Sequence, residues 1–243
     1  MKKAYLFDID GTLTLPRQRM DPEFAGFFIQ FAKDNIVYLS TGSDRPKALE
    51  QVGSEIMNAC RGVFTCCGNE FWEGEKLVYE REFYPGIRLV NFLKDCVEKS
   101  SFPTKAGRHL EYRKGMLNFS VVGRNATREE RASYSEWDAK HREREEIANT
   151  IIAKRERFGM IDVSVGGEIS IDIYPVGRDK SQSVTTVRQL HGLPIVFMGD
   201  KMKPNGNDYP AVKALIEGDL ACEVSSWQQT KLLIESELER QDG

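Results

Sequence analysis

The sequence predicts an α/β protein in which a doubly wound, mostly parallel sheet is interrupted by an inserted α+β domain. Short apolar runs alternate with helical patterns in the first third of the chain and again in its last quarter, which is the rhythm of a parallel sheet covered by helices. Between these regions, alternating strands lie close together, as in an antiparallel sheet. We therefore assign residues 1–82 and 178–243 to a core domain and residues 83–177 to the insertion.

The core strands are predicted from apolar runs that do not alternate, since a strand buried on both faces needs none of the period-two pattern of a half-exposed strand. The predicted strands are 4–7, 36–39, 62–65, 195–198 and 221–224. Helices are predicted at 22–33, 45–57, 180–191, 210–217 and 228–240, where apolar residues recur at helical spacing.

The insertion has a different pattern. A helix is predicted at 89–99, followed by strands at 109–112 and 117–122 around a Lys114-Gly115 turn. A long, heavily charged helical stretch is predicted over 127–157, and two further strands at 161–165 and 169–174. Phe92 and Phe102 have the character of exposed apolar residues of this domain.

Composition excludes several classes of protein. The chain has 243 residues and is 40% hydrophobic and 29% charged, which is ordinary for a globular protein. A net charge of −3 gives no electrostatic reason to expect nucleic-acid binding. No apolar stretch is long enough for a bilayer or a signal peptide. Five cysteines without a spaced zinc-type pair fit a reduced, cytoplasmic setting.

Paired carboxylates follow the first strand, in the motif Asp8-Ile9-Asp10-Gly11-Thr12. Side chains at i and i+2 of an extended strand share a face, and open α/β sheets bind ligands at the carboxyl ends of their strands. Two such carboxylates suit Mg²⁺, and a carboxylate can also attack phosphorus. The alternative is a simple strand-end turn, because Asp and Gly favour turns.

Three weaker elements follow in order. Thr41 comes after the second strand, close to a helix start that favours anions, although Ser43 or Asp44 there could simply cap that helix. Lys180 begins a later helix and could stabilise a phosphoryl group, although a lone lysine is usually a solvated residue. Asp200 ends another buried strand, and Asp208 lies in the polar loop after it, where both could complete the metal site.

Together the four elements resemble the haloacid dehalogenase (HAD) superfamily, with the insertion placed where its type II caps are found. The resemblance implies that Asp8 is the nucleophile and Asp10 the general acid and base. It also implies that Thr41 and Lys180 contact the phosphoryl group. The candidate Mg²⁺ ligands are Asp8, Asp10, Asp200 and Asp208.

Four further stretches resemble the eukaryotic-type phosphomannomutases, and the likeness runs from residue 4 to about residue 235. They are DIDGTLTLPRQ at 8–18, RKGMLNFS at 113–120, GGEISID at 166–172 and GDKMKPNGND at 199–208. This resemblance implies phosphate or linker contacts from Arg17, Arg113, Arg124 and Arg131, and sugar contacts from Ser170 and Asp172. Arginine suits phosphate because its guanidinium donates in a bidentate fork.

The resemblance implies a mutase that interconverts mannose 1-phosphate and mannose 6-phosphate through an aspartyl phosphate at Asp8. It also implies Mg²⁺ and a hexose 1,6-bisphosphate activator, and a homodimer formed through the cap. Thr41 stands where the mutases usually have glycine and is more similar to related sugar phosphatases, so a HAD type IIB sugar-phosphate phosphatase is the alternative. A catalytically silent sugar-phosphate-binding protein would have lost Asp8, Asp10, Lys180 or Asp200, and all four are present.

Overall fold

The computed structural model describes residues 2–204 and 206–242, with side chains to residue 239, so Asn205 of the 199–208 loop lies outside the described residues. The strands are β1 Ala4–Phe7, β2 Ile36–Ser40, β3 Gly62–Thr65, β4 Glu70–Glu73, β5 Lys76–Glu80, β6 Leu110–Arg113, β7 Met116–Phe119, β8 Ile161–Gly166, β9 Ser170–Pro175, β10 Ile195–Gly199 and β11 Leu220–Glu223. The helices are α1 Pro22–Asp34, α2 Arg45–Ala59, α3 Ile87–Lys99, α4 Arg128–His141, α5 Glu143–Ala153, α6 Arg155–Phe158, α7 Ser181–His191, α8 Tyr209–Lys213 and α9 Trp227–Asp242.

Contacts between residues divide the chain into two units. Arg81–Arg178 form most of one unit, and the described residues on either side form most of the other. The sequence placed these limits at 82/83 and 177/178, and the assignment of catalysis to one unit and substrate binding to the other stays a prediction.

The larger unit is built on a seven-stranded sheet in the order β11-β10-β1-β2-β3-β4-β5. The strands from β11 to β3 are parallel, and β4 and β5 extend the sheet as an antiparallel hairpin. This confirms the predicted mostly parallel α/β sheet. The hairpin was not predicted, because its apolar runs, Phe71-Trp72 and Leu77-Val78-Tyr79, are short and are bounded by charged residues.

Helices cover both faces of this sheet. On one face Phe24 and Phe28 of α1 pack with Ile56 of α2 and Phe7 of β1. On the other face Val184 and Val187 of α7 pack with Leu6 and Phe197. α1 begins where Asp21 accepts hydrogen bonds from the backbone N–H groups of its first turn, as expected of an aspartate N-cap. These packed layers hold the central strands in fixed register.

The smaller unit has a four-stranded antiparallel sheet in the order β6-β7-β9-β8, which confirms the predicted α+β insertion. Its core includes Leu117 of β7 and Ile171 of β9, with Leu93 of α3 and Ile151 of α5. Phe102, expected at the surface, is buried against Tyr134 with ring centroids 5.0 Å apart. Phe92 is half-buried beside Phe158.

The helical stretch predicted over 127–157 is divided into three helices, α4, α5 and α6. The first, α4, starts with a capping box between Thr127 and Glu130. It ends at Arg142, whose φ of 55° lies in the left-handed region. The carboxylate of Asp138 then accepts hydrogen bonds from the N–H and Nε of Arg144, so a buried ion pair turns the chain.

None of the helices in the described part of the chain combines the length and the apolar character that crossing a membrane requires.

Candidate active site

The carboxyl ends of three neighbouring strands of the larger sheet lie side by side. Asp8 follows β1, Asp200 follows β10 and Thr41 follows β2, and these strands lie in the order β10-β1-β2. The backbone N–H of Asp8 donates to the carbonyl of Met198 at 2.9 Å, which carries the β1–β10 pairing one residue past the strand. Parallel pairing therefore brings side chains far apart in sequence to one place.

Lys180 lies at the centre of this site, immediately before α7. Its Nζ donates to Oδ1 of Asp8 and, at 2.6 Å, to Oδ1 of Asp208. The side chain is fully buried. Removing an ammonium group from water costs a large free energy unless anionic partners compensate for it, so a buried lysine needs such partners. The lone lysine is thus a buried bridge between two carboxylates rather than a solvated residue.

Asp8, Asp200 and Asp208 form a carboxylate triad. One oxygen from each lies within 4.8 Å of the others. The second oxygen of Asp208 accepts hydrogen bonds from the backbone N–H groups of Asp200 at 3.1 Å and Lys201 at 3.0 Å, which fixes the loop after β10. Two glycines make room: a Cβ on Gly11 would lie 2.5 Å from Asp200, and one on Gly199 2.6 Å from Asp208.

The crowding of carboxylates changes their proton affinities. Burial raises the pKa of Asp8 well above its ordinary value of 3.8, and the carboxylates of Asp208 and Asp200 add to it, while the ammonium of Lys180 works against them. Burial and the charge of Asp208 likewise raise the pKa of Asp200 to about 6. Burial works to lower the pKa of Lys180, but Asp208 and Asp8 outweigh it and raise that pKa.

The residues present fit a divalent cation. Lys180 pairs with Asp8 and Asp208, and the exposed ammonium of Lys201 lies 3.6 Å from Asp200, so the three carboxylates outnumber the cations beside them when all are ionised. Oxygen donors of this kind suit hard cations, and a cation there would lower the raised pKa of Asp8 and of Asp200. The triad could therefore hold a divalent metal ion.

Asp10 lies outside this triad. Its Oδ1 accepts hydrogen bonds from the backbone N–H of Arg17 and from Nε2 of Gln51, both at 2.8 Å. Of the four candidate metal ligands, Asp10 is therefore the one whose carboxylate bonds the loop after β1 and α2. The predicted metal-binding role of Asp10 stays a prediction.

Thr41 is buried beside the start of α2. Its Oγ1 accepts a hydrogen bond from the N–H of Ser43 at 3.1 Å, and its own N–H donates to the carbonyl of Phe64 at 2.9 Å. Asp44 caps the helix, since its carboxylate accepts from the N–H of Lys47. The cap and Thr41 are therefore different residues, which leaves Thr41 available for another role.

Two of the four predicted arginines converge in the smaller unit. Nη2 of Arg113 lies 2.5 Å and Nη2 of Arg124 2.9 Å from the same carboxylate oxygen of Glu111. Nη1 of Arg124 also donates to Oγ of Ser170 at 3.0 Å. Two guanidinium groups thus share one anionic oxygen, and one of them also donates to a hydroxyl.

Arg131 holds the backbone of this cluster in place. Its Nη2 donates to the carbonyl of Arg124 at 2.8 Å and its Nε to the carbonyl of Ala126 at 2.9 Å, so it fixes the backbone that carries Arg124. Asp172 is buried and accepts a hydrogen bond from Asn118 at 2.6 Å. Arg17, by contrast, is an exposed residue of the larger unit.

The sequence analysis did not single out three residues that contact predicted site residues. They are Gln51, Glu111 and Asn118. Gln51 lies inside a helix and Glu111 in a charged strand, where such residues are usually solvated. Asn118 stands out, since an amide in the centre of an apolar strand needs a buried partner. That signal could have been found from the sequence.

The sheet order, the inserted sheet and the carboxylate–lysine cluster define a HAD-like protein. Solved structures agree on the fold. The N-terminally truncated, IMP-bound IMP-nucleotidase of Plasmodium falciparum matches with a TM-score of 0.65 and 15% identity, over 98% of this chain and 68% of that one. A haloacid dehalogenase-like hydrolase from Bacteroides thetaiotaomicron matches with a TM-score of 0.56 and 14% identity, over 96% and 92%.

Sequence comparison is more specific. The family model for eukaryotic phosphomannomutase matches residues 24–236. The phosphomannomutase of Drosophila melanogaster is 35% identical over 215 residues, which cover 84% of each chain. That of Encephalitozoon cuniculi (strain GB-M1) is 35% identical over 219 residues, covering 86% of this chain and 83% of that one. The chain belongs to the eukaryotic phosphomannomutase family, which confirms the resemblance read from its motifs.

Proposed function

We propose that this protein is a phosphomannomutase, which interconverts mannose 1-phosphate and mannose 6-phosphate. Family membership supports the activity. The observation that carries the chemistry is the cluster in which buried Lys180 joins Asp8 to Asp208 beside Asp200. This arrangement would supply the nucleophile, a fixed positive charge and a cation site at the carboxyl ends of neighbouring strands.

Asp8 is the proposed nucleophile. An oxygen of its carboxylate bonds to phosphorus as the bond from phosphorus to the sugar oxygen breaks, and the product is an aspartyl phosphate. The ammonium of Lys180 favours the ionised form of Asp8 against the effect of burial and lies close enough to stabilise charge on the transferred group. Thr41 is proposed to contact the phosphoryl group from the adjacent strand.

Asp10 is the proposed general acid and base. It gives a proton to the departing sugar oxygen and takes one from the sugar hydroxyl that later attacks the aspartyl phosphate. A hexose 1,6-bisphosphate is proposed as the activator that first phosphorylates Asp8 and as the intermediate that reorients between the two transfers.

We propose Mg²⁺ as the metal, held by Asp8, Asp200 and Asp208, where it would supply charge neutralisation for the phosphoryl oxygens. The cluster of Arg113 and Arg124 is proposed to hold the phosphate that is not reacting, because two guanidinium groups already share one anionic oxygen there. Arg17 and Arg131 would assist, and Ser170 and Asp172 would contact the sugar.

A sugar-phosphate phosphatase is the second candidate, and Thr41 is the observation that favours it. The test follows mannose 6-phosphate and free phosphate in one tube containing mannose 1-phosphate and Mg²⁺, with and without glucose 1,6-bisphosphate. We expect mannose 6-phosphate that depends on the activator, with little free phosphate. Free phosphate without isomerisation would establish the phosphatase instead, and Asp8→Asn should abolish both activities.

We also propose a homodimer formed through the insertion and a cytoplasmic location. The insertion exposes apolar side chains, among them Tyr84, Ile87 and Tyr112, which an interface would cover. Light scattering of the purified protein, compared with a Tyr112→Lys variant, tests the dimer. A monomer at micromolar concentration would contradict it.

A further inference from the structure

Gln51 is buried at the end of the first half of α2 and contacts the loop between β1 and α1 at three points. Its Nε2 donates to Oδ1 of Asp10 at 2.8 Å and to Oγ1 of Thr14 at 3.2 Å. Its own backbone carbonyl accepts the N–H of Met20 at 2.8 Å. One residue of α2 thus forms hydrogen bonds with Asp10, Thr14 and Met20, at the start, middle and end of this loop.

The backbone of α2 departs from helical geometry two residues further on, since Gly53 has φ 80° and ψ 161°. The other side-chain atom of Gln51, Oε1, is buried and has no hydrogen-bond partner within the described part of the chain. An unsatisfied buried oxygen and a broken helix both reduce stability. Features that reduce stability in this way are concentrated at functional sites.

The contacts of Asp10 are asymmetric. The N–H of Arg17 and the amide of Gln51 both donate to Oδ1, and Oδ2 accepts no hydrogen bond from the described residues. The two oxygens of a carboxylate lie in one rigid plane, so two donors on Oδ1 also fix the direction of Oδ2. The donors come from different elements, the loop after β1 and α2, which holds the plane more firmly than one donor would.

We propose that Gln51 is a positioning residue for proton transfer: it holds the Asp10 carboxylate by Oδ1 so that Oδ2 exchanges the proton with the sugar oxygen. This inference rests on the proposed function, in which Asp10 is the general acid and base. When the phosphorus–oxygen bond breaks, the proton on Oδ2 passes to the sugar oxygen. When a sugar hydroxyl attacks the aspartyl phosphate, its proton returns to Oδ2.

The test uses the dependence of rate on the leaving group. A sugar oxygen leaves as a poor anion unless it is protonated, whereas p-nitrophenolate leaves unaided, so only the first reaction needs a positioned acid. We expect Gln51→Leu to lower kcat for mannose 1-phosphate, with activator present, by roughly ten- to a hundredfold, less than the loss of about 10²–10⁴-fold typical when the acid itself is removed. The single-turnover release of p-nitrophenolate from p-nitrophenyl phosphate, which reports only the first step, should fall less than about threefold.

Gln51→Met serves as the second variant, because methionine matches the length of glutamine and is tolerated in buried positions. It should show the same selective loss even if the leucine variant folds poorly. The matched control is Gln30→Leu, since Gln30 is exposed on α1 and its amide donates to Asp34, away from the proposed site. Both rates should be unchanged in that control.

Equal losses on the sugar phosphate and the aryl phosphate in Gln51→Met would overturn the positioning role and leave a purely structural one. Unchanged rates on both substrates would overturn it too. Failure of the underlying proposal looks different: Asp10→Asn would then lack the leaving-group selectivity, or Asp8→Asn would retain activity. The two variants of aspartate therefore separate an error about Gln51 from an error about the reaction.

Discussion

Replacing Asp200 with asparagine should make the metal-free protein more stable at neutral pH while removing its response to Mg²⁺. Asp200 lies beside Asp208 and Asp8, which pair with Lys180, while its own partner is the exposed ammonium of Lys201 at 3.6 Å. Without a cation, its charge is therefore unfavourable in the folded state. The amide keeps the shape of the side chain and removes the charge.

The magnitude follows from proton affinity. The pKa of Asp200 is raised from 3.8 to about 6, and each pH unit corresponds to about 1.4 kcal/mol. The ionised side chain therefore destabilises the metal-free fold by about 3 kcal/mol above pH 7. Because the pKa is raised, the stability is present below pH 3.8 and lost as the pH rises through about 6. The variant should melt roughly 6–12 °C higher than the wild type at pH 7.5 in chelator, at about 2–4 °C per kcal/mol.

The assay is thermal unfolding from pH 4 to pH 8, in chelator and in Mg²⁺. A ligand at a hundred times its Kd stabilises by about 2.7 kcal/mol, and the wild type should gain this amount while the variant gains far less. Asp219→Asn is the matched control. Burial works to raise the pKa of Asp219, but hydrogen bonds from Arg188 and from the N–H groups of Ile216 and Ile195 outweigh it and lower that pKa, so its loss should destabilise the protein at neutral pH.

Two results would refute this reasoning. One is an Asp200→Asn protein that is less stable than the wild type in chelator at every pH. The other is equal stabilisation of both proteins by Mg²⁺, which would place the cation elsewhere.

Three further predictions concern other parts of the molecule. Lys180→Met should destabilise the metal-free protein by about 3–5 kcal/mol, measured by chemical denaturation, because it leaves buried carboxylates unpaired; a neutral effect would contradict the buried bridge. Glu111→Gln leaves Arg113 and Arg124 facing each other without their shared anion, so it should lower the melting temperature in phosphate-free buffer and respond more than the wild type to millimolar phosphate. Equal responses of the two proteins would show that the arginines do not bind this anion. Ile171→Ala should cost about 2–5 kcal/mol through the cavity it leaves in the insertion, and a smaller loss in urea unfolding would mean that the core collapses around it.

The fold was predictable where burial is uniform. The strands at 4–7 and 62–65 were placed to the residue, because each is a short apolar run with a polar residue or a turn at its end. The hairpin of β4 and β5 was not, since its apolar runs are no longer than three residues and are bounded by charged side chains. The break at Arg142 also escaped, because it depends on the contact of Asp138 with Arg144, which no propensity records.

The site was predictable in its chemistry and less so in its geometry. Carboxylates that follow buried strands identify themselves, since parallel strands end at one edge. The sequence could not show that Asp10 bonds Gln51 and is not part of the triad, because that arrangement depends on the path of a loop. Nor could it show that Glu111 lies between two arginines, because charged strand residues look alike before they are packed.

The two glycines beside the triad limit how this chemistry can be reused. A methyl group at Gly11 or Gly199 would collide with Asp200 or Asp208. A design that places three aspartates and a lysine on another scaffold must therefore also place glycine at the two positions that contact them. Alanine at either position should be poorly tolerated, although neither glycine has a side chain that could take part in the reaction.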